Sequence, residues 1–155
     1  MSTIDRFPLL NPSIPFEVKI TDSLILKFMN LGNSYIKKLL YFFGSKGYEP
    51  EMLPIIFTLA KRVNCFLDVG ANNGYFSLIV SALNRDCSVF AFATSPINIE
   101  CCLHNIKINE LNNCHLISKA ISNYNGKIGL LNSDFDSSPT IVSSGINIGE
   151  KTSLR

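Results

Sequence analysis

The stretch FLDVGANNGYFSLIV, residues 66 to 80, sets Asp68 two positions ahead of Gly70 and ends its turn at Gly74. Glycine adopts backbone angles that other residues avoid, so a chain with this spacing bends sharply and approaches a ligand closely. Phe66, Leu67 and Val69 form a short apolar run suited to a strand covered on both faces. After Gly74, the residues Phe76, Leu78, Ile79, Ala82 and Leu83 fall near helical spacing. A strand that breaks into such a turn and opens a helix aims the turn's free N–H groups and the positive helix end at one place, which favours a carboxylate or phosphate. Asp68, at the strand end, can accept a hydrogen bond from an ammonium. An amino-acid moiety carries both charges.

Other ligands suit the turn less well. A dinucleotide fingerprint needs a middle glycine where this chain has Asn72, and a phosphate-binding P-loop needs a Lys-Ser or Lys-Thr pair that does not follow Gly74. The same residues would also serve a purely structural connection, with Gly70 and Gly74 closing the turn and Asp68 capping it.

The elements that must position this turn alternate through the middle of the chain. Strands are expected at Cys65 to Val69, Ser88 to Phe92 and His115 to Ala120, with helices from Gly74 to Asn84 and from Pro96 to about Asn109. That βαβαβ order implies a parallel sheet with right-handed crossovers and a ligand crevice at the carboxyl ends of the strands. Upstream, Phe16, Val18 and Ile20 alternate with charged residues, and Thr21-Asp22-Ser23 offers a turn before Leu24 to Phe28, a hairpin pattern. Ser34 can cap a helix over Tyr35 to Phe43 that presents Ile36, Leu39, Leu40 and Phe43 on one face and stops at Gly44 or Gly47. A second helix opens at Pro50 or Pro54 and runs to about Arg62. Beyond Ala120, Asn125-Gly126 marks a turn before Lys127 to Leu131, and the Ser-, Gly- and Asn-rich remainder has little core to join. The chain thus divides into a hairpin and helix at 1–47, an α/β unit at 48–145 and a polar tail at 146–155.

A length of 155 residues with 46% hydrophobic content is ample for one core. The 14 basic residues nearly balance the 12 acidic ones, without a basic run, so nucleic acid is not an expected partner. No stretch approaches about 18 uncharged apolar residues, so no membrane is expected either. Cys65, Cys87, Cys101, Cys102 and Cys114 are odd in number and form no Cys-x-x-Cys pair, which suits a reducing, cytoplasmic compartment. With His104 and His115 they match no common zinc spacing, so no metal is assigned; the cysteines read as small hydrophobes, the histidines as wet edges.

Five blocks in order carry a resemblance: YEPE at 48–51, FLDVGANNGYFSL, VFAFATSP at 89–96, NIKINELNN at 105–113 and KAISNYNGKIGL at 119–130. Over about residues 48 to 145 the chain resembles the FkbM family of S-adenosylmethionine-dependent methyltransferases. The resemblance implies a Rossmann-like class I methyltransferase fold, α/β, with S-adenosylmethionine as cofactor over the strand ends. It places the methionine portion near Asp68, Gly70, Ala71, Asn72 and Gly74, and it implies O-methylation of a small-molecule or glycan hydroxyl. No carboxylate or histidine stands where the family holds its acceptor, so no catalytic residue is named; Asp134 and Asp136 read as solvated turn residues.

The chain departs from the family twice. Where the second strand normally ends in FEPSP, with the Glu holding the ribose hydroxyls, this chain has Phe92-Ala93-Thr94-Ser95-Pro96, leaving Thr94 or Ser95 to supply a neutral hydroxyl. The family's sheet has seven strands, and this chain holds only the N-terminal half of the parallel sheet. A truncated domain of this kind would expose an open strand edge and an apolar face, which calls for a partner chain completing the sheet or marks a non-catalytic interaction module.

Overall fold

The computed structural model describes residues 14–29, 31 and 34–123, together with the backbone course of 129–133 and 136–142. Its elements run β1 (Phe16–Lys19), β2 (Ile25–Phe28), α1 (Tyr35–Phe43), α2 (Met52–Ala60), β3 (Cys65–Val69), α3 (Tyr75–Leu83), β4 (Ser88–Phe92), α4 (Pro96–Ile108), β5 (Cys114–Ile117), β6 (Gly129–Ser133) and β7 (Asp136–Val142).

The centre is the expected βαβαβ unit, a Rossmann-like α/β arrangement around a three-stranded sheet in the order β3-β4-β5. All pairing in it is parallel, from Cys65 opposite Ser88 to Val69 opposite Phe92, and from Val89 opposite Cys114 to Phe92 opposite Ile117. Because the strands follow one another in a single direction, right-handed crossovers place both connecting helices on the same face. Phe66, Val89, Ala91 and Leu116 point into that face, where α3 and α4 pack with Leu78, Ile79 and Cys102.

The other face is uncovered, which corrects the expectation of a strand buried on both sides. Leu67 and Val69 are 60% and 62% exposed, and Phe90 and Phe92 beside them are only half-buried. An apolar run alone does not distinguish a strand covered twice from one covered once.

The N-terminal hairpin forms as its alternation predicts: Val18, Leu26 and Phe28 are buried in the same core as α3, and the Ile20 amide closes the turn onto the Leu24 carbonyl at 2.8 Å. Its outer edge is held by a helix. Asn109 of α4 accepts the Lys27 amide at 2.8 Å through Oδ1 and donates through Nδ2 to the Lys27 carbonyl at 2.7 Å, standing in for a neighbouring strand.

Helix α1 has the expected bounds but a rotated face. Phe43 is 54% exposed, whereas Lys37 and Lys38 are buried, with Lys37 Nζ donating to the Leu31 carbonyl at 3.4 Å. Ser34 sits at the N-cap without a capping bond from its side chain, and Gly44, at φ 62°, ends the helix by donating to the Leu40 carbonyl. Helix α2 opens at Met52, between the two prolines offered as starts; Pro54 falls in its first turn, where a missing N–H costs nothing.

Strand β5 begins at Cys114 and ends at Ile117, three residues short of the expected end. Residues 136–142, in the stretch expected to have little core to join, form β7 and pair antiparallel with β6, Gly129 opposite Val142, so Asp136 opens a strand rather than lying in a turn; Asp134 is outside the described residues. The Asn125-Gly126 turn lies outside the described residues. Cys87, Cys101, Cys102 and Cys114 are buried as small hydrophobes, while Cys65, His104 and His115 are exposed. Among the described residues no helix is long and apolar enough to cross a membrane.

Candidate functional site

The glycine turn lies at the carboxyl end of β3, against the end of β4. Gly70, at φ 85°, donates its N–H to the Phe92 carbonyl at 3.1 Å, and Ala71 donates to the same oxygen at 2.9 Å. These bonds bring the DVGANNG turn together with Ala93, Thr94 and Ser95. They also correct the expectation that the whole turn offers its amides outward, because continuing the parallel ladder consumes two of them.

The rest of the turn is held internally. Gly74 donates to the Ala71 carbonyl at 2.8 Å, the Tyr75 amide to Asn73 Oδ1 at 3.3 Å, and Asn105 Nδ2 reaches the Asn73 carbonyl at 2.9 Å. The amides of Asn72, Asn73 and Phe76 make no hydrogen bond among the described residues. Asn72 itself adopts φ 52°, and its Oδ1 is buried without a partner. A Cβ built on Gly70 would meet nothing within 4 Å, whereas one on Gly74 would lie 2.8 Å from Cys102 Sγ. Gly70 therefore faces open space and Gly74 seals the turn against α4.

Asp68 serves the helix first. One oxygen, Oδ2, accepts both the Ser77 hydroxyl at 2.6 Å and the Ser77 amide at 3.1 Å, satisfying a donor in the first turn of α3. Burial raises the pKa of this carboxyl above the ordinary aspartate range, against the two Ser77 bonds that lower it. The structural alternative read from the sequence, Asp68 as a cap, is thus present; its second oxygen makes no hydrogen bond among the described residues.

At the end of β4, Ala93 is 4% exposed and donates its N–H to the Ile117 carbonyl at 3.2 Å. Ser95 is buried and Thr94 half-buried, and neither side chain makes a hydrogen bond among the described residues. Two hydroxyls are thus at hand at the end of β4.

Two features of the site were not singled out from the sequence. Tyr48 packs its ring on Tyr75 and Phe76, with centroids 6.2 and 6.1 Å away, and its hydroxyl is pushed up to about 12 by burial and by the carboxylates of Glu49 and Asp68. Glu49 carries φ 43°, which nothing in its residue type announces. The second is Asn105. Its spacing of four from Asn109 on a helix was the available signal, since two asparagines on one helical face need partners if that face is buried.

No protein-family model matches the chain, and no curated protein matches it. Solved structures similar to it include three methyltransferases. The precorrin-6y C5,15-methyltransferase of Geobacter metallireducens GS-15 shares 19% identity, with 46% of this chain and 40% of that one covered and a TM-score of 0.41. TYW2 of M. jannaschii, in complex with AdoMet, shares 20% identity over 70% of this chain and 45% of that one, with a TM-score of 0.47. A SAM-dependent methyltransferase from Agrobacterium tumefaciens shares 16% identity over 73% of this chain and 34% of that one, with a TM-score of 0.46. The chain spans less than half the length of each.

Proposed function

We propose that the chain is an S-adenosylmethionine-dependent methyltransferase domain of FkbM type, acting on a hydroxyl of a small molecule or glycan. The observation that carries this reading is the buried, unpartnered Oδ1 of Asn72, beside the free amides of Asn72 and Asn73 and the open space over Gly70. An acceptor oxygen next to amide donors fits a zwitterionic amino-acid group: Asn72 Oδ1 takes the ammonium, and the amides take the carboxylate. The five sequence blocks supply the name of the nucleotide attached to that group.

When bound, S-adenosylmethionine supplies a methyl group on a sulfonium, a strong leaving group, so the protein's task is chiefly alignment. Asp68 holds the start of α3 through Ser77 and thereby the near wall of the site. Thr94 and Ser95 offer neutral hydroxyls toward the ribose in place of a carboxylate. No base is assigned among the described residues.

Calorimetric titration with S-adenosylmethionine and S-adenosylhomocysteine tests the reading. Weak binding is expected, and Ala93→Glu should tighten it about tenfold to a hundredfold, since hydrogen bonds to a charged acceptor contribute about 1.5–3 kcal/mol each. Absence of heat at millimolar ligand for both parent and variant would refute the reading.

A second reading, an interaction module without catalysis, is favoured by Ala93 and by the uncovered face around Leu67 and Val69. In that reading the face takes a partner chain that completes the sheet, and Ala93→Glu leaves cofactor affinity unchanged.

A further inference from the structure

We propose that Asn105 is a positioning residue for the ligand-facing part of the glycine turn, and that through it the N-terminal hairpin belongs to the site. The inference rests on the cofactor reading above and adds to it a residue from α4 and an element outside the five blocks. Asn105 is fully buried and spends both ends of its amide. Its Nδ2 donates to the Asn73 carbonyl at 2.9 Å, and its Oδ1 accepts the Met29 amide, just past β2, at 2.7 Å.

The peptide between Asn73 and Gly74 is consequently pinned from two directions, its carbonyl by Asn105 and its N–H by the Ala71 carbonyl at 2.8 Å. Pinning it has a purpose one residue upstream. Asn72 stands at φ 52°, a conformation that costs a non-glycine residue free energy and persists only where the surroundings enforce it. With the Asn105 bond removed, Asn72 can relax to ordinary angles, which rotates the adjoining peptides and turns the free amides of Asn72 and Asn73 away from the ligand. Asn109, at the C-cap of α4, holds the same hairpin through Lys27 and donates to the Asn105 carbonyl at 2.7 Å, without touching the glycine turn. The two asparagines therefore separate anchoring of the hairpin from positioning of the turn.

The test compares Asn105→Asp with Asn109→Asp in the full chain. Each keeps the oxygen that accepts from β2 or its end and loses a donor, but only the first loses its grip on Asn73. Hydrogen exchange of the Gly74 amide, the one amide of residues 72–74 held by a hydrogen bond among the described residues, should accelerate about tenfold in the ligand-free Asn105→Asp variant and stay unchanged in Asn109→Asp. S-adenosylhomocysteine affinity should fall about tenfold in the first variant alone, the loss expected for one buried hydrogen bond. Lowering the pH, which returns a proton to the introduced carboxyl, should restore both. If the buried charge unfolds the first variant, Asn105→Ser is compared with Asn109→Ser: both are uncharged and too short to hold the hairpin, and only the first also releases Asn73. Equal effects of the two asparagine positions on exchange would overturn the proposal. Absence of binding in the parent would remove the cofactor reading, and the exchange comparison would then decide the positioning role by itself.

Discussion

Gly70 and Gly74 share φ 85° but not their surroundings, and the difference separates binding from stability. Over Gly70 there is open space; over Gly74 stands Cys102 Sγ, at 2.8 Å from any added Cβ. Gly70→Ala should therefore cost only the left-handed strain, about 1–2 kcal/mol, while its methyl intrudes where the ligand is expected and weakens S-adenosylhomocysteine binding. Gly74→Ala adds overpacking against α4, for a total of about 2–5 kcal/mol in urea denaturation. In a Cys102→Ala background the Gly74 penalty should shrink by the overpacking part, about 1–3 kcal/mol, and a cycle showing no coupling would contradict the packing described here. The positions of both glycines were legible in the sequence. That one faces solvent and the other a cysteine on a helix nearly thirty residues downstream was not, because residue type reports backbone freedom and not what occupies the space beside it.

At the scale of elements, the connection from β3 to α3 depends on Asp68 and Ser77. Burial favours the protonated carboxyl, so the folded chain keeps a proton that the unfolded chain has released over the window between the ordinary value of 3.8 and the raised one. Stability from this group is fully present below 3.8 and declines as pH rises through the window, because the unfolded state then binds fewer protons. Asp68→Asn keeps an oxygen for Ser77 and removes the charge; subtracting its denaturation midpoints from those of the parent across acid pH should reveal that declining slope, and a flat difference would show that Asp68 does not titrate abnormally. Ser77→Ala should cost about 1.5–3 kcal/mol and extend the slope to higher pH, since it removes the hydroxyl bond that opposes the shift and leaves only the backbone amide bond. The sequence announced most elements to within a residue or two, because strands and helices alternate cleanly between Cys65 and Ile117 and glycines or asparagines punctuate them. It failed where long-range partners override pattern. Lys37 and Lys38 are buried on α1 while Phe43 is not, and the 136–142 strand draws its place from pairing with β6 rather than from apolar alternation. The asparagines at 105 and 109 bond the backbone of Lys27 and Met29 where a neighbouring strand would, a role that their types and spacing do not specify.

At the scale of the molecule, the governing fact is that among the described residues the parallel sheet carries helices on one face only. Parallel sheets are ordinarily covered twice, and β3 stands at an edge with unpaired backbone groups along CFLDV, a segment without the lysine or proline that usually protects such an edge. Leu67 and Val69 project from this edge strand, and Phe90 and Phe92 continue the apolar surface across β4. Exposed apolar surface next to a free edge drives association, either with a partner chain or with a second copy of the same chain. The purified chain should accordingly self-associate as its concentration rises in sedimentation velocity. Leu67→Lys or Val69→Lys should suppress that association while altering unfolding stability by no more than about 0.5 kcal/mol, as expected at exposed positions away from caps and cores. Lysine at either position also places a charge where a completing strand and helix would pack, so the same variants should abolish capture of any chain that supplies them. A parent that remains monomeric at high concentration, with both lysine variants destabilised by several kcal/mol, would mean that this face is covered in solution.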